Sequence, residues 1–296
     1  ENVADEQHFK IVTESGGNLN GTTNNDRTNY FETVPTGALE KTLYVESDRM
    51  GHLLGAVTQE NLTNQIGVVS NEKRQGDNQP YGLNQYKQLE ALFPEGHPYR
   101  HSTIGSMADL DAASMQTVRD WFTSNYGPNN AVLVLAGDIT PAKARELTDK
   151  YFGPIAKGPV NNPAQASVPT LSAPLSETTH DRVSNAQVEV SWAVPGMLDA
   201  DSVPLSVAAS VLGGLASSRL DNELVRGEQT AVSASAACQT SCVPSKAQPS
   251  TSVATMRVRH DRRGTCFCSS RSTTSVKRPH ATRPPRAWTR IMCHAG

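Results

Sequence analysis

In the stretch VVSNEKRQGDNQPYG, residues 68–82, one carboxylate stands toward the end of an apolar-striped run. It is Glu72, and a polar turn closed by Pro80-Tyr81-Gly82 comes after it. A carboxylate on a helix has a fixed direction and can ligate a metal, yet the ordinary role of a lone glutamate there is a solvated helix end. His97 and His101 have the i, i+4 separation of a helical ligand pair. Pro98 lies inside that spacing and breaks the helix that would aim both rings at one ion, so a structural role in a loop is expected. Cys266, Cys268 and His280 form a third group, but their spacing fits no common zinc knuckle.

The elements that would position these residues must come from a chain of 296 residues, enough for one large or two ordinary domains. Hydrophobic residues make up 37% and aromatic residues 5%, both low for a wholly globular chain of this size. No run approaches the length of a membrane span. The net charge of −2 conceals a division. Eleven of the 27 Lys/Arg and one of the 29 Asp/Glu lie in residues 239–296, leaving residues 1–238 near −12 and the tail near +10. All five cysteines lie at 238 or beyond, so neither a disulfide framework nor a thiol site belongs to the body. The opening ENVADEQHFK reads as mid-sequence, and the chain is expected to be a piece of a longer protein.

Phe9, Ile11 and Val12 give residues 4–15 a helical pattern that stops at Gly16-Gly17. NLNGTTNNDRTNYFETVP then predicts two strands bent around Asn24-Asn25-Asp26. Leu39, Leu43, Met50 and Leu53 set an apolar face on a helix over 37–54, and Thr58 caps a further helix through Leu62, Ile66 and Val69 to Glu72. One long helix is predicted over 111–125, ending at Gly127-Pro128. NAVLVLAGD reads as a buried strand over 130–138, and Thr140-Pro141 starts another helix with an N-cap and a first-turn proline.

A Pro/Ala/Ser-rich linker occupies about 154–180. QVEVSWAVPG then alternates as a strand, and a helix begins over 206–212. This order echoes TNYFETVPTGALEKTL and hints at a structural repeat. A helix-like run, SSRLDNELVRGEQ, leads to the small-residue strand TAVSASAA. Beyond Ala237 no period of 2 or 3.6 is sustained, and Arg, Ser, Thr, Pro and Cys dominate. A basic nucleic-acid-binding tail is one reading. The favoured reading is sequence translated out of frame, with residues 239–296 disordered.

ENVADEQHFKIVTESGGNLNGTTNNDRTNYFETVP, VVSNEKRQ…NQPYG, GHPYRHSTIGSMADLDAAS, YGPNNAVLVLAGDI and SVLGGLASSRLDNELVRGEQTAVSASA, in that order and spacing, resemble the pitrilysin/insulinase family of zinc metallopeptidases, bacterial type. The likeness runs from Glu1 to about Ala237. It implies an α+β fold: an antiparallel-rich sheet with helices on one face, repeated in two homologous domains, the second incomplete. Residues 1–153 would be the first domain without its zinc-motif helix, 154–185 a linker, and 186–238 the start of the second.

The resemblance further implies zinc, held by an inverted His-x-x-Glu-His helix and a distal carboxylate. Glu72 matches that distal ligand. The two histidines and the general base are expected upstream of Glu1, so no catalytic residue is assigned within this chain. Its nearest imitation, Ala4-Asp5-Glu6-Gln7-His8, lacks the first His and the Glu, and His8 is expected on a helix surface. Leu19, Asn20, Gly21 and Thr22 match an edge strand on which substrate backbone is added. Gln65 stands where some relatives carry a supporting glutamate, and Arg219 and Arg226 are read as structural. The implied partners are a peptide or protein substrate and a second domain or subunit that closes a chamber; neither nucleic acid nor membrane is expected. The family allows a periplasmic or a cytoplasmic location. Two functions are carried forward: a fragment of a zinc metalloendopeptidase, itself inactive, or a non-catalytic binding or structural subunit.

Overall fold

Gly16 and Gly17 end the first helix because the tight turn into the next strand accepts only glycine. Gly16 has φ of +80°, and a Cβ on Gly17 would lie 2.7 Å from Val34 Cγ1 and 2.9 Å from the Thr33 carbonyl oxygen. Helix α1 (Gln7–Glu14) therefore folds back tightly onto the hairpin it precedes, where Val12, Val34 and Ala38 form a small core with Leu19. The computed structural model describes residues 3, 7–162, 164, 166–183, 185–239, 251–260 and 288–295. They group into two units: Glu1–Asn71, Ser106–Asn162 and Pro279–Gly296 in the first, and Glu72–Gly105 and Pro163–Arg278 in the second.

In the first unit, β1 (Asn18–Thr23) and β2 (Thr28–Pro35) pair antiparallel, from Asn18 opposite Thr33 to Thr23 opposite Thr28. Asn24 builds the turn: its Oδ1 accepts the N–H groups of Asp26 (2.9 Å) and Arg27 (3.0 Å). Helix α2 (Leu39–Ala56) follows, then α3 (Gln59–Asp77), which Thr58 caps by accepting the Asn61 N–H at 3.1 Å. The chain passes from the first unit to the second inside α3, between Asn71 and Glu72.

The expected single helix over 111–125 is two, α5 (Met107–Ala112) and α6 (Met115–Asn125). Ser114 sits between them in an extended conformation and caps α6 by accepting the Thr117 N–H, so its hydroxyl restarts the helix that a periodicity argument runs through. Strand β3 (Ala131–Gly137) alternates rather than being buried on both faces. Leu133 and Leu135 join the core while Val132 and Val134 face outward. Helix α7 (Pro141–Phe152) starts at Thr140, whose Oγ1 accepts the Lys143 N–H at 3.3 Å, with Pro141 in the first turn. Thr140→Ala is expected to cost about 1 kcal/mol by loss of that cap, read by urea unfolding.

The main core is where α2 and α7 lie on the sheet. Leu39, Leu43, Met50, Leu147 and Phe152 are buried, flanked by Tyr30, Leu133, Leu135, Tyr151 and Ile155. The sheet order is β1-β2-β7-β3, with β7 spanning Trp288–Ala295 and antiparallel to both neighbours.

In the second unit, α4 (Asn84–Leu92) packs on β4 (Ala186–Pro195), with Gln88 Nε2 donating to Glu189 Oε1 at 2.9 Å and to the Ser191 hydroxyl. Strand β6 (Thr251–His260) lies between β4 and β5 (Ser233–Gln239), antiparallel to each. Helix α8 (Ser202–Ala209) continues into a wide turn over Ser210–Gly214, and a second wide turn spans Asp221–Gly227. Arg226 is structural, with its Nε on Asp221 Oδ2 at 2.8 Å.

Strands β6 and β7 fall in 239–296, where the sequence reading has no element. Their ladders supply the reason, since each lies between two strands that would otherwise be unpaired on that side. The grouping Cys266, Cys268 and His280 lies outside the described residues. Among the described residues no helix is long and apolar enough to cross a membrane.

Candidate functional site

Leu19, Asn20, Gly21 and Thr22 lie on β1, an edge of the first unit's sheet whose ladder partner is β2. Asn20, Gly21 and Thr22 are exposed and Leu19 is half-buried. The Gly21 N–H donates to Asn20 Oδ1 at 2.8 Å, so one edge amide is held by a neighbouring side chain that an incoming strand could displace. A Cβ on Gly21 would meet the Asn29 carbonyl oxygen at 3.5 Å and the Tyr30 ring at 3.6 Å, ordinary contact distances. The hairpin itself therefore does not demand glycine at this position.

Glu72 is on α3, five residues before that helix ends, and it is exposed. The buried line of α3 runs through Leu62, Ser70 and Lys73, which leaves Glu72 beside it. Among the described residues no hydrogen bond or ion pair holds its carboxylate. Gln65, one helical face away from the buried line, is also exposed.

His97 and His101 are not on a helix. His97 stacks against Phe93 with ring centroids 4.7 Å apart, and its Nδ1 accepts the Tyr99 N–H at 3.0 Å. His101 is exposed beside the Ser102 carbonyl oxygen. The loop role expected from Pro98 is the one the structure has.

His8 departs from its expected surface position. Its Nε2 lies 2.8 Å from Glu32 Oε1 and 3.3 Å from Glu46 Oε1, with its side chain 21% exposed. Glu32 and Glu46 are almost fully buried. Arg49 completes the cluster: its Nε donates to the same Glu46 Oε1 at 3.2 Å and its Nη2 to Glu46 Oε2. The Arg49 guanidinium also lies 3.8 Å above the Tyr30 ring, whose hydroxyl is 3.1 Å from that of Tyr126.

The two carboxyls of this cluster are driven apart. Burial pushes Glu32 up from 4.5 to about 7; the His8 hydrogen bond opposes that, and the charge of Glu46 and a hydrogen bond shared with it reinforce it. Glu46 is also raised by burial, but the charge and hydrogen bonds of Arg49, with His8 and Glu32, outweigh that and hold it below the usual carboxylate range. The proton of the pair therefore resides on Glu32.

Two signals for this cluster were present in the sequence. Glu46 falls on the apolar stripe Leu39-Leu43-Glu46-Met50, and Glu32 shares a strand face with Val34, which is fully buried. A charged residue in an apolar stripe marks a buried polar contact, but spacing does not say which partner meets it.

The Peptidase M16 inactive domain matches residues 112–245. The zinc protease PqqE of Helicobacter pylori is 28% identical over 225 residues, covering 73% of this chain and 49% of that protein, so the chain spans about half the length of this curated relative. The crystal structure of a protease from Helicobacter pylori is 26% identical with a TM-score of 0.72, covering 88% of this chain and 62% of that one. Pitrilysin, at 13% identity, shares the fold with a TM-score of 0.62 over 88% of this chain and 27% of its own. The antiparallel α+β architecture and these likenesses agree, and together they support assignment of the chain to the M16, or pitrilysin/insulinase, family of peptidases.

Proposed function

We propose that this chain supplies the substrate-binding strand and one zinc ligand of a zinc metalloendopeptidase. The observation that carries the reading is the exposed edge of β1. A peptide in extended conformation would add there as a further strand, recognised through main-chain hydrogen bonds at Asn20 to Thr22, with Leu19 half-buried behind them. Glu72 fits as one ligand, because its carboxylate is exposed, is held by no partner among the described residues and stands on a rigid helix. Zinc bound by two imidazoles and a carboxylate supplies a water of lowered pKa that can attack a peptide carbonyl.

None of the 296 residues forms a His-x-x-Glu-His run, and a single carboxylate does not retain zinc. The chain by itself is therefore expected to bind peptides without cleaving them. A second reading, a non-catalytic partner that helps close a chamber around a substrate, is favoured by the match of residues 112–245 to the family's inactive domain.

The test has two parts. A fluorescent extended peptide should bind the chain, and Gly21→Val should weaken binding about tenfold by crowding the edge while leaving thermal stability unchanged, since Cβ space exists there. Equal affinity in the two proteins would rule out strand addition at β1. Joining a His-x-x-Glu-His helix upstream should then confer zinc-dependent peptide hydrolysis. If binding is present but hydrolysis stays absent, the non-catalytic reading stands instead.

A further inference from the structure

His8, Glu32 and Glu46 come from α1, β2 and α2, and each offers a ligand atom within 4.8 Å of the others. We propose that these three side chains form a binding site for a borderline divalent cation of the zinc or cobalt type, separate from Glu72. The donor set is one imidazole and two carboxylates, which suits such ions better than magnesium or calcium with their preference for six or more oxygens. The spacing is close to what a metal requires. Ligand bonds of about 2.0–2.2 Å at tetrahedral angles set donor atoms about 3.3–3.6 Å apart. The observed 2.8 Å and 3.3 Å are reached from there by sub-ångström side-chain shifts.

A second observation points to a ligand independently. Among the described residues, Glu32 Oε2 is buried without a hydrogen-bond partner, on a side chain only 3% exposed. An acceptor left in that state is costly, and a cation satisfies it without a donor. Among the described residues, Glu32 from β2 and Glu46 from α2 face the permanent cation of Arg49 from α2 and the titratable His8 from α1. Arg49 holds both oxygens of Glu46, its Nε on the Oε1 that faces His8 and its Nη2 on Oε2, and so orients that carboxylate, the role of an outer partner in metal sites. His8, the one partly exposed member, offers a route from solvent. Bound metal would tie α1, β2 and α2 together and displace the proton that otherwise resides on Glu32.

The experiment is a Co²⁺ titration of the chelator-stripped 296-residue chain, followed by visible absorption, with Zn²⁺ as competitor. The expected result is one Co²⁺ per chain with ligand-field absorption, no thiolate-to-cobalt charge transfer, and displacement by Zn²⁺. Glu32→Gln and His8→Asn should each weaken binding by at least tenfold, whereas Glu72→Gln should leave it unchanged. Circular dichroism checks that the variants fold. In the unaltered chain, Zn²⁺ should shift the His8 imidazole resonances and release protons, a readout that needs no variant. No uptake, a thiolate band, binding that depends on Glu72, or His8 resonances that do not move would each overturn the proposal. The outcome is independent of peptide binding at β1, so either reading can fail alone.

Discussion

Glu46→Ala is expected to destabilise the first unit by about 3 kcal/mol or more, measured by urea unfolding near pH 7. The side chain is 2% exposed and accepts two hydrogen bonds from Arg49, which is itself largely buried against Tyr30. Truncation removes the carboxylate that accepts two hydrogen bonds from that guanidinium and opens a gap on the Leu39-Leu43-Met50 stripe. Some of the loss is offset, because Glu32 no longer faces a second carboxylate and can pair fully with His8. Glu146→Ala is the control. Its ion pair with Lys143 is solvent-exposed at both ends and should be worth less than 1 kcal/mol. Similar losses in the two variants would show that the buried cluster contributes no more than a surface pair.

Stability is also expected to fall as pH rises from about 4.5 to about 7, by about 3 kcal/mol if Glu32 acts alone. Its folded-state pKa is raised from 4.5 to about 7, so within that window the folded chain holds a proton that the unfolded chain has released. Unfolding then releases protons, and higher pH favours it. Above about 7 both states are ionised and the decline levels off. Glu46 acts with the opposite sign, because its pKa is lowered on folding and its contribution is lost as pH falls below the ordinary carboxylate range. The two effects together place the maximum near the lower end of the window. Urea midpoints at pH 5, 6, 7 and 8 in the presence of chelator measure the slope, and Glu32→Gln should flatten it. A slope unchanged by that variant would assign the titration elsewhere. If the cluster binds a divalent cation, adding Zn²⁺ should restore stability above pH 7, where the unprotonated ligands are available.

The sequence by itself determined the parts of this protein that depend on short-range geometry. Gly16-Gly17, the Asn24 turn, the Thr58 and Thr140 caps and the apolar spacing of α2 each act over a few residues, so their residue types suffice to place them. The order of the VVSNEKRQ, NQPYG and YGPNNAVLVLAGDI blocks was likewise legible, because family likeness is carried in the linear text. Tertiary structure alone decided which distant groups meet. His8 has a surface pattern in its helix and a half-buried place in the fold, since two carboxylates 24 and 38 residues away turn toward it. Strands β6 and β7 form where composition offers little reason for them, because ladder pairing rewards a backbone that fills the position between two strands. Hydrophobic period reports which face of an element turns inward, and it carries no information about which other face will be waiting there.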